Sequence, residues 1–152
     1  MTLCVPAYAA DITGTWQLHG TLQIDTSIKN QKQTSKKIDN AALVLGTQKH
    51  FVINGQAFQL SGNWTRKSAA FQGVLHTASA TAFLNHIASD LKVKSGLILK
   101  PAASTATLTG TELANGTITG QWLITSKITF PKYPAQSGLL RISYHFTGKR
   151  SK

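Results

Sequence analysis

Apolar and polar residues alternate along most of this chain. Near its start, Ile12, Gly14, Trp16, Leu18, Gly20, Leu22 and Ile24 fall on one side, while Thr13, Thr15, Gln17, His19, Thr21 and Gln23 fall on the other. A period of two sends successive side chains to opposite faces of a strand, so the pattern predicts strands with one buried and one wet face. Phe58, Leu60, Gly62 and Trp64 repeat it, as do Phe71, Gly73 and Leu75, then Ala106, Leu108 and Gly110. The longest run is Ile118, Gly120, Trp122, Ile124, Ser126, Ile128 and Phe130, and the last is Leu140, Ile142, Tyr144 and Phe146. Counting Ala41–Gly46, His50–Asn54 and Lys92–Lys100, the pattern predicts about nine or ten strands. Asn54-Gly55, Ala114-Asn115-Gly116 and Pro131-Lys132-Tyr133-Pro134 supply turns. Asn-Gly is expected to provide the positive φ angles of a tight hairpin, and connections this short make neighbours pair antiparallel in a meander.

Two segments depart from the alternation. Between Ser79 and Leu91, apolar residues fall at Ala80, Phe83, Leu84, Ile87, Ala88 and Leu91, the spacing of an amphipathic helix. Its apolar face is expected to pack across an opening or an outer face of the sheet, or to act as a lid over a cavity. Thr26–Asp39 is the most polar stretch, with Lys29, Lys32, Lys36 and Lys37. It reads as a protruding hairpin or long loop, solvated on both sides, which could meet an anionic surface.

All three tryptophans occupy one repeated phrase: Ile12-Thr13-Gly14-Thr15-Trp16, Leu60-Ser61-Gly62-Asn63-Trp64 and Ile118-Thr119-Gly120-Gln121-Trp122. Each Gly lies on the face of its Trp, where it leaves room for an indole or allows a sharp bend. A curved sheet lined by aromatics follows, and with it a candidate apolar site at Trp16, Phe58, Trp64, Phe71, Trp122 and Tyr144.

The 152 residues carry sixteen lysines and arginines against five acids, a net charge of +11. Such a charge favours anionic neighbours, including phospholipid headgroups, lipopolysaccharide and acidic polysaccharide. Aromatics near basic residues lie on apolar faces, so nucleic acid is not an expected partner. The five histidines have no tight ligand spacing, and no metal or other cofactor is expected. Neither a G-x-S-x-G elbow nor a phosphate-binding glycine motif occurs, and five scattered acids make a catalytic carboxyl pair improbable. The chain is read as non-enzymatic. No stretch approaches the roughly 18 apolar residues of a membrane helix. Residues 1–9 end in Ala7-Tyr8-Ala9, resembling the close of a secretory signal, which would leave 10–152 as one β-barrel-like domain. A periplasmic or secreted location is expected.

Gly14-x-Trp16 at the head of a meander resembles the N-terminal signature of the lipocalin and calycin barrels. The whole phrase, the mid-chain helix and the closing Tyr144-His145-Phe146-Thr147-Gly148 resemble a group of uncharacterised exported bacterial lipocalin-like proteins. The resemblance implies a mainly β, antiparallel up-and-down barrel, with the helix near 79–91, and a small apolar ligand or lipid inside. It also implies an Arg near the chain end against the first Trp; Arg141 is a match by position, although alternation puts it on the polar face. Two other departures are the recurrence of the motif and a helix that interrupts the meander. The alternative function is an envelope or matrix protein that binds anionic polysaccharide or lipopolysaccharide through its basic surface, or self-assembles through open strand edges.

Overall fold

The computed structural model describes residues 11–28, 31–95, 100–133 and 135–151. Its strands are β1 (Gly14–Ile28), β2 (Gln31–Leu45), β3 (His50–Asn54), β4 (Gln59–Lys67), β5 (Ala70–Leu75), β6 (Lys100–Glu112), β7 (Ile118–Thr129) and β8 (Ser137–Arg150). They pair antiparallel in chain order, and β8 returns to β1, with Gly20 opposite Phe146 and Leu22 opposite Tyr144. The meander is a closed barrel.

Eight strands form, rather than nine or ten. The difference arises at Lys92–Lys100, whose first residues extend the helix α1 (Thr77–Ser95) instead of starting a strand. Residues 96–99 lie outside the described part. The helix is also longer than the predicted Ser79–Leu91. Its apolar spacing is satisfied as expected, with Ala80, Phe83, Leu84, Ile87 and Ala88 all buried. The Ser61 amide donates to Ser79 Oγ at 2.9 Å, which ties the first turn of α1 to β4.

The described residues of the polar stretch Thr26–Asp39, 26–28 and 31–39, are strand as well. Pairing runs unbroken from Gly14 opposite Leu45 to Ile28 opposite Gln31, and β1 continues against β8 as far as Gly138. Main-chain pairing holds this ribbon, with Ile28 its one apolar side chain packed against the core among the described residues, so its polar composition is no obstacle. Residues 31–38 are exposed throughout, in keeping with a protruding hairpin. Lys29 lies outside the described residues.

Strand lengths are unequal. β1, β2, β6, β7 and β8 run 12 to 15 residues, whereas β3, β4 and β5 have 5, 9 and 6. The long strands form a wall beyond the short ones, and α1 directly follows β5 and packs against β6 and β4. One continuous apolar core joins the inner faces of the strands to the buried face of the helix. Each fully buried large apolar side chain there contributes roughly 1.5–3 kcal/mol.

The turns use backbone freedom in places the dipeptides do not all announce. Gly116 has φ +81° in the predicted Ala114–Gly116 turn, but Gly55 lacks a positive φ. Lys49 (φ +68°) carries the left-handed conformation between β2 and β3 instead.

Candidate functional site

The six aromatics proposed to line a cavity are all buried, but they do not form one group. Phe58, just before β4, touches Trp122 on β7 and Tyr144 on β8, with ring centroids 5.0 and 4.9 Å apart. Trp122 and Tyr144 stack at 6.1 Å. Phe83 of α1 completes this cluster, edge-on to Trp122 at 5.7 Å and to Phe58 at 6.4 Å. The helix therefore sends a ring into the centre of the barrel, a contribution that the alternating strands could not reveal.

Trp16 and Trp64 serve the other end. Trp16 Nε1 donates to the Ile12 carbonyl at 2.9 Å, and Trp64 Nε1 donates to the carbonyls of Gly46 and His50 at 3.2 and 3.1 Å. The Arg150 guanidinium lies over the Trp16 ring, 4.5 Å from its centroid, and donates to the Thr13 and Asp11 carbonyls. Arg150, not Arg141, thus meets the first Trp. Arg141 sits opposite Asp25 and Thr125 on the outer face, because odd-numbered residues of β8 point outward there. Asp11 is held below the ordinary carboxyl range chiefly by hydrogen bonds from the Thr13 amide and hydroxyl, and more weakly by Arg150.

The inner-face glycines, in the Trp phrases and elsewhere, are not gaps. A methyl group added at Gly110 would lie 2.1 Å from Phe71 Cζ, and one at Gly20 would lie 2.7 Å from Tyr144 Cζ. At Gly62 it would meet Phe51 Cε1 at 2.7 Å, and at Gly120 Phe146 Cζ at 3.0 Å. At Gly110 the missing side chain makes room for a ring alone. At Gly20, Gly62 and Gly120 the nearest atom is a main-chain carbonyl oxygen of the adjacent strand (His145, Val74 and Thr109, at 2.3, 2.1 and 2.3 Å), with the ring next to it. None of these rings is the Trp of the same phrase.

Two polar features interrupt the core. Asp39 is buried on β2, where its carboxylate accepts the amides of Gln56 and Ala57 at 2.9 and 3.1 Å. Tyr144 Oη donates to the Asp39 carbonyl at 2.6 Å. Burial, then the Asp39 charge, raises the phenol pKa well above its usual value. Trp122 Nε1 is the second feature: it is buried and, among the described residues, has no hydrogen-bond partner. A buried indole donor left unpaired is costly, and water or a ligand acceptor is the usual remedy.

The other candidate surface is the outer face of β2, β1, β8 and β7. Register puts Lys32, Ser27, Leu139 and Lys127 in one row across these strands. The neighbouring row is Thr34, Asp25, Arg141 and Thr125, and the next begins with Lys36 and Gln23. Lys32 and Lys36 therefore share a face with Lys127 and Arg141, two cations that linear spacing does not connect. Lys37 has the opposite parity and is exposed at the strand edge. Asp25, the carboxylate on this face, is engaged by Gln23 Nε2 at 2.9 Å and by Thr34 Oγ1 at 2.8 Å. Among the described residues, no group of three or more His, Cys, Asp or Glu converges as a metal site. Among the described residues, no helix is long and apolar enough to cross a membrane.

Compared with known protein families, curated proteins and solved structures, the chain matches none. The closed eight-stranded antiparallel barrel is consistent with a lipocalin-like fold.

Proposed function

We propose that this is a non-enzymatic binding protein whose working surface is the basic outer face of β2, β1, β8 and β7. Its partner is an anionic polymer of the cell envelope, an acidic polysaccharide or lipopolysaccharide. The observation that carries this reading is the register, which assembles Lys32, Lys36, Lys127 and Arg141 around a single carboxylate already occupied by neutral donors. Several cations on one rigid sheet bind a polyanion at many points, and such binding falls steeply with salt. Export to the periplasm or beyond, as in the bacterial lipocalin-like proteins the sequence resembles, is part of the same reading. Self-assembly is the less favoured use of this region. The outer edge of β2 carries Lys32, Lys36 and Lys37, and like charges along an edge oppose pairing with a second copy.

The test is retention of the protein on lipopolysaccharide and on an acidic polysaccharide, followed across a salt gradient. Replacing Lys32, Lys36, Lys127 and Arg141 with Gln should release it at much lower salt. Unchanged retention by that variant would sink the proposal.

A second reading, a small apolar ligand inside the barrel, is favoured by one observation: the unpaired Trp122 Nε1 beside Phe58, Tyr144 and Phe83. In this reading a ligand displaces Phe83 as α1 moves, and its acceptor group takes the indole hydrogen. Organic extraction of the purified protein followed by mass spectrometry tests it. A reproducibly empty extract, with no change in tryptophan emission on adding lipids, would count against it.

A further inference from the structure

Large apolar side chains are exposed at the end of the barrel where β7 turns into β8. Leu139 is 60% exposed and Tyr133 51%. Tyr133 is not on a loose loop, because its amide donates to the Phe130 carbonyl at 2.9 Å and its carbonyl accepts the Gln136 amide at 2.9 Å. Both residues are bracketed by cations. Lys127 lies directly opposite Leu139 on β7, Lys32 ends the same cross-strand row, and Lys132 precedes Tyr133. Adjacent strands are about 4.8 Å apart, so Lys127 and Lys32 stand roughly 14 Å from each other with Leu139 between them. Beside Leu139, an open groove of about 690 Å³ runs past Ser27, Lys127, Ala135 and Gly138.

Neither feature alone identifies a partner, but together they do. A soluble polyanion would use the lysines and leave Leu139 and Tyr133 in water. A purely apolar partner would leave the lysines unpaired. Leu139 lies two residues from the start of β8, and Lys127 two residues from the end of β7, so the row is only about 7 Å from the tip of the sheet. That is the depth to which interfacial protein segments enter the boundary between headgroups and acyl chains. Among β1, β2, β7 and β8 the acids are Asp25 and Asp39; Asp39 is buried and Asp25 is engaged by Gln23 and Thr34.

We propose that the β7–β8 end of the barrel docks onto an anionic lipid layer, with Leu139 and Tyr133 entering the interface while Lys32, Lys127 and Lys132 contact lipid phosphates. The proposal rests on the basic-face reading above and names the lipid surface as its partner. Both apolar side chains are already outside the core, so membrane binding requires no rearrangement of the fold.

Sedimentation with vesicles tests it, using phosphatidylglycerol, phosphatidylcholine and, as a lipid-free polyanion, dextran sulfate. The protein should sediment with phosphatidylglycerol and not with phosphatidylcholine. Exchanging Lys32, Lys127 and Lys132 for Gln should weaken vesicle binding about a hundredfold, at about fivefold per cation. The Leu139→Ser, Tyr133→Ser double variant should lose about tenfold or more on vesicles and nothing on dextran sulfate. Equal vesicle binding by that variant and the natural chain would overturn the proposal. So would binding to dextran sulfate without binding to vesicles, which leaves the basic-face reading standing. Binding to neither overturns both, and equal binding to the two lipids removes the role given to the lysines.

Discussion

Arg150, two residues from the end of the chain, lies over the indole of Trp16 near its beginning, 4.5 Å from the ring centroid. The guanidinium also holds the segment before β1 through the carbonyls of Thr13 (2.6 Å) and Asp11 (2.7 Å). A planar cation can stack and donate in its own plane at once, which a lysine ammonium cannot. Arg150→Ala should therefore lower stability by about 2 kcal/mol, combining a cation–π contact with two charged hydrogen bonds. Arg150→Lys should recover less than half of that loss. Urea denaturation monitored by tryptophan emission measures both.

Gly110 and Phe71 test whether the interior is filled. The three closest atoms to a methyl group at Gly110 all belong to the Phe71 ring. Gly110→Ala alone should cost about 1–3 kcal/mol through overpacking. Combined with Phe71→Leu, much of that cost should return, giving a favourable coupling in a double-mutant cycle. Strict additivity of the two changes would mean that the ring does not occupy the glycine's space.

Tyr144 should give the protein an alkaline limit. Its folded pKa lies above the unfolded value near 10.0, so the stability tied to the neutral phenol is complete below pH 10.0. As pH rises further, the unfolded chain releases this proton first, and stability falls. Tyr144→Phe should remove that component of the alkaline decline. It should also cost about 1–2 kcal/mol at neutral pH by leaving the Asp39 carbonyl without its donor. Chemical denaturation at neutral and alkaline pH separates the two effects.

Asp39 should control the turn between β3 and β4 more than the barrel as a whole. Its carboxylate is the acceptor for the amides of Gln56 and Ala57. Asp39→Ala should destabilise by about 2–3 kcal/mol, since two part-buried amides lose a charged acceptor. Asp39→Asn retains one acceptor oxygen and should cost less. In hydrogen exchange, amides 56 and 57 should lose protection in both variants before those of β7 and β8.

Much of the fold was legible because a barrel imposes its own period. The inner positions Leu18, Leu60, Trp122 and Ile142 follow from alternation, and the buried face of α1 follows from helical spacing. The polar ribbon was harder to read, since β1 and β2 pair through their main chains where side chains carry no apolar signal. Leu139 gave the opposite difficulty: it is an apolar residue on the outward parity of β8, and its neighbours in the linear chain do not explain it. Trp16 and Arg150 were separated by nearly the whole sequence, so only closure of β8 on β1 could identify the partner.

The repeated Gly-x-Trp phrase shows the division most clearly. Alternation determined that Gly14, Gly62 and Gly120 face the same way as Trp16, Trp64 and Trp122, and with the short turns and the net charge of +11 it pointed to a curved antiparallel sheet on a basic chain. Whether those glycines opened a cavity or admitted other side chains depended on residues from distant strands. Tertiary structure set the Val74 carbonyl and the Phe51 ring against Gly62, the Thr109 carbonyl and the Phe146 ring against Gly120, and Arg150 against Gly14. It also brought Lys32 into the row of Leu139 and Lys127. The physical reason is that side-chain parity is local to a strand, whereas filled volume and shared surface are set by inter-strand register.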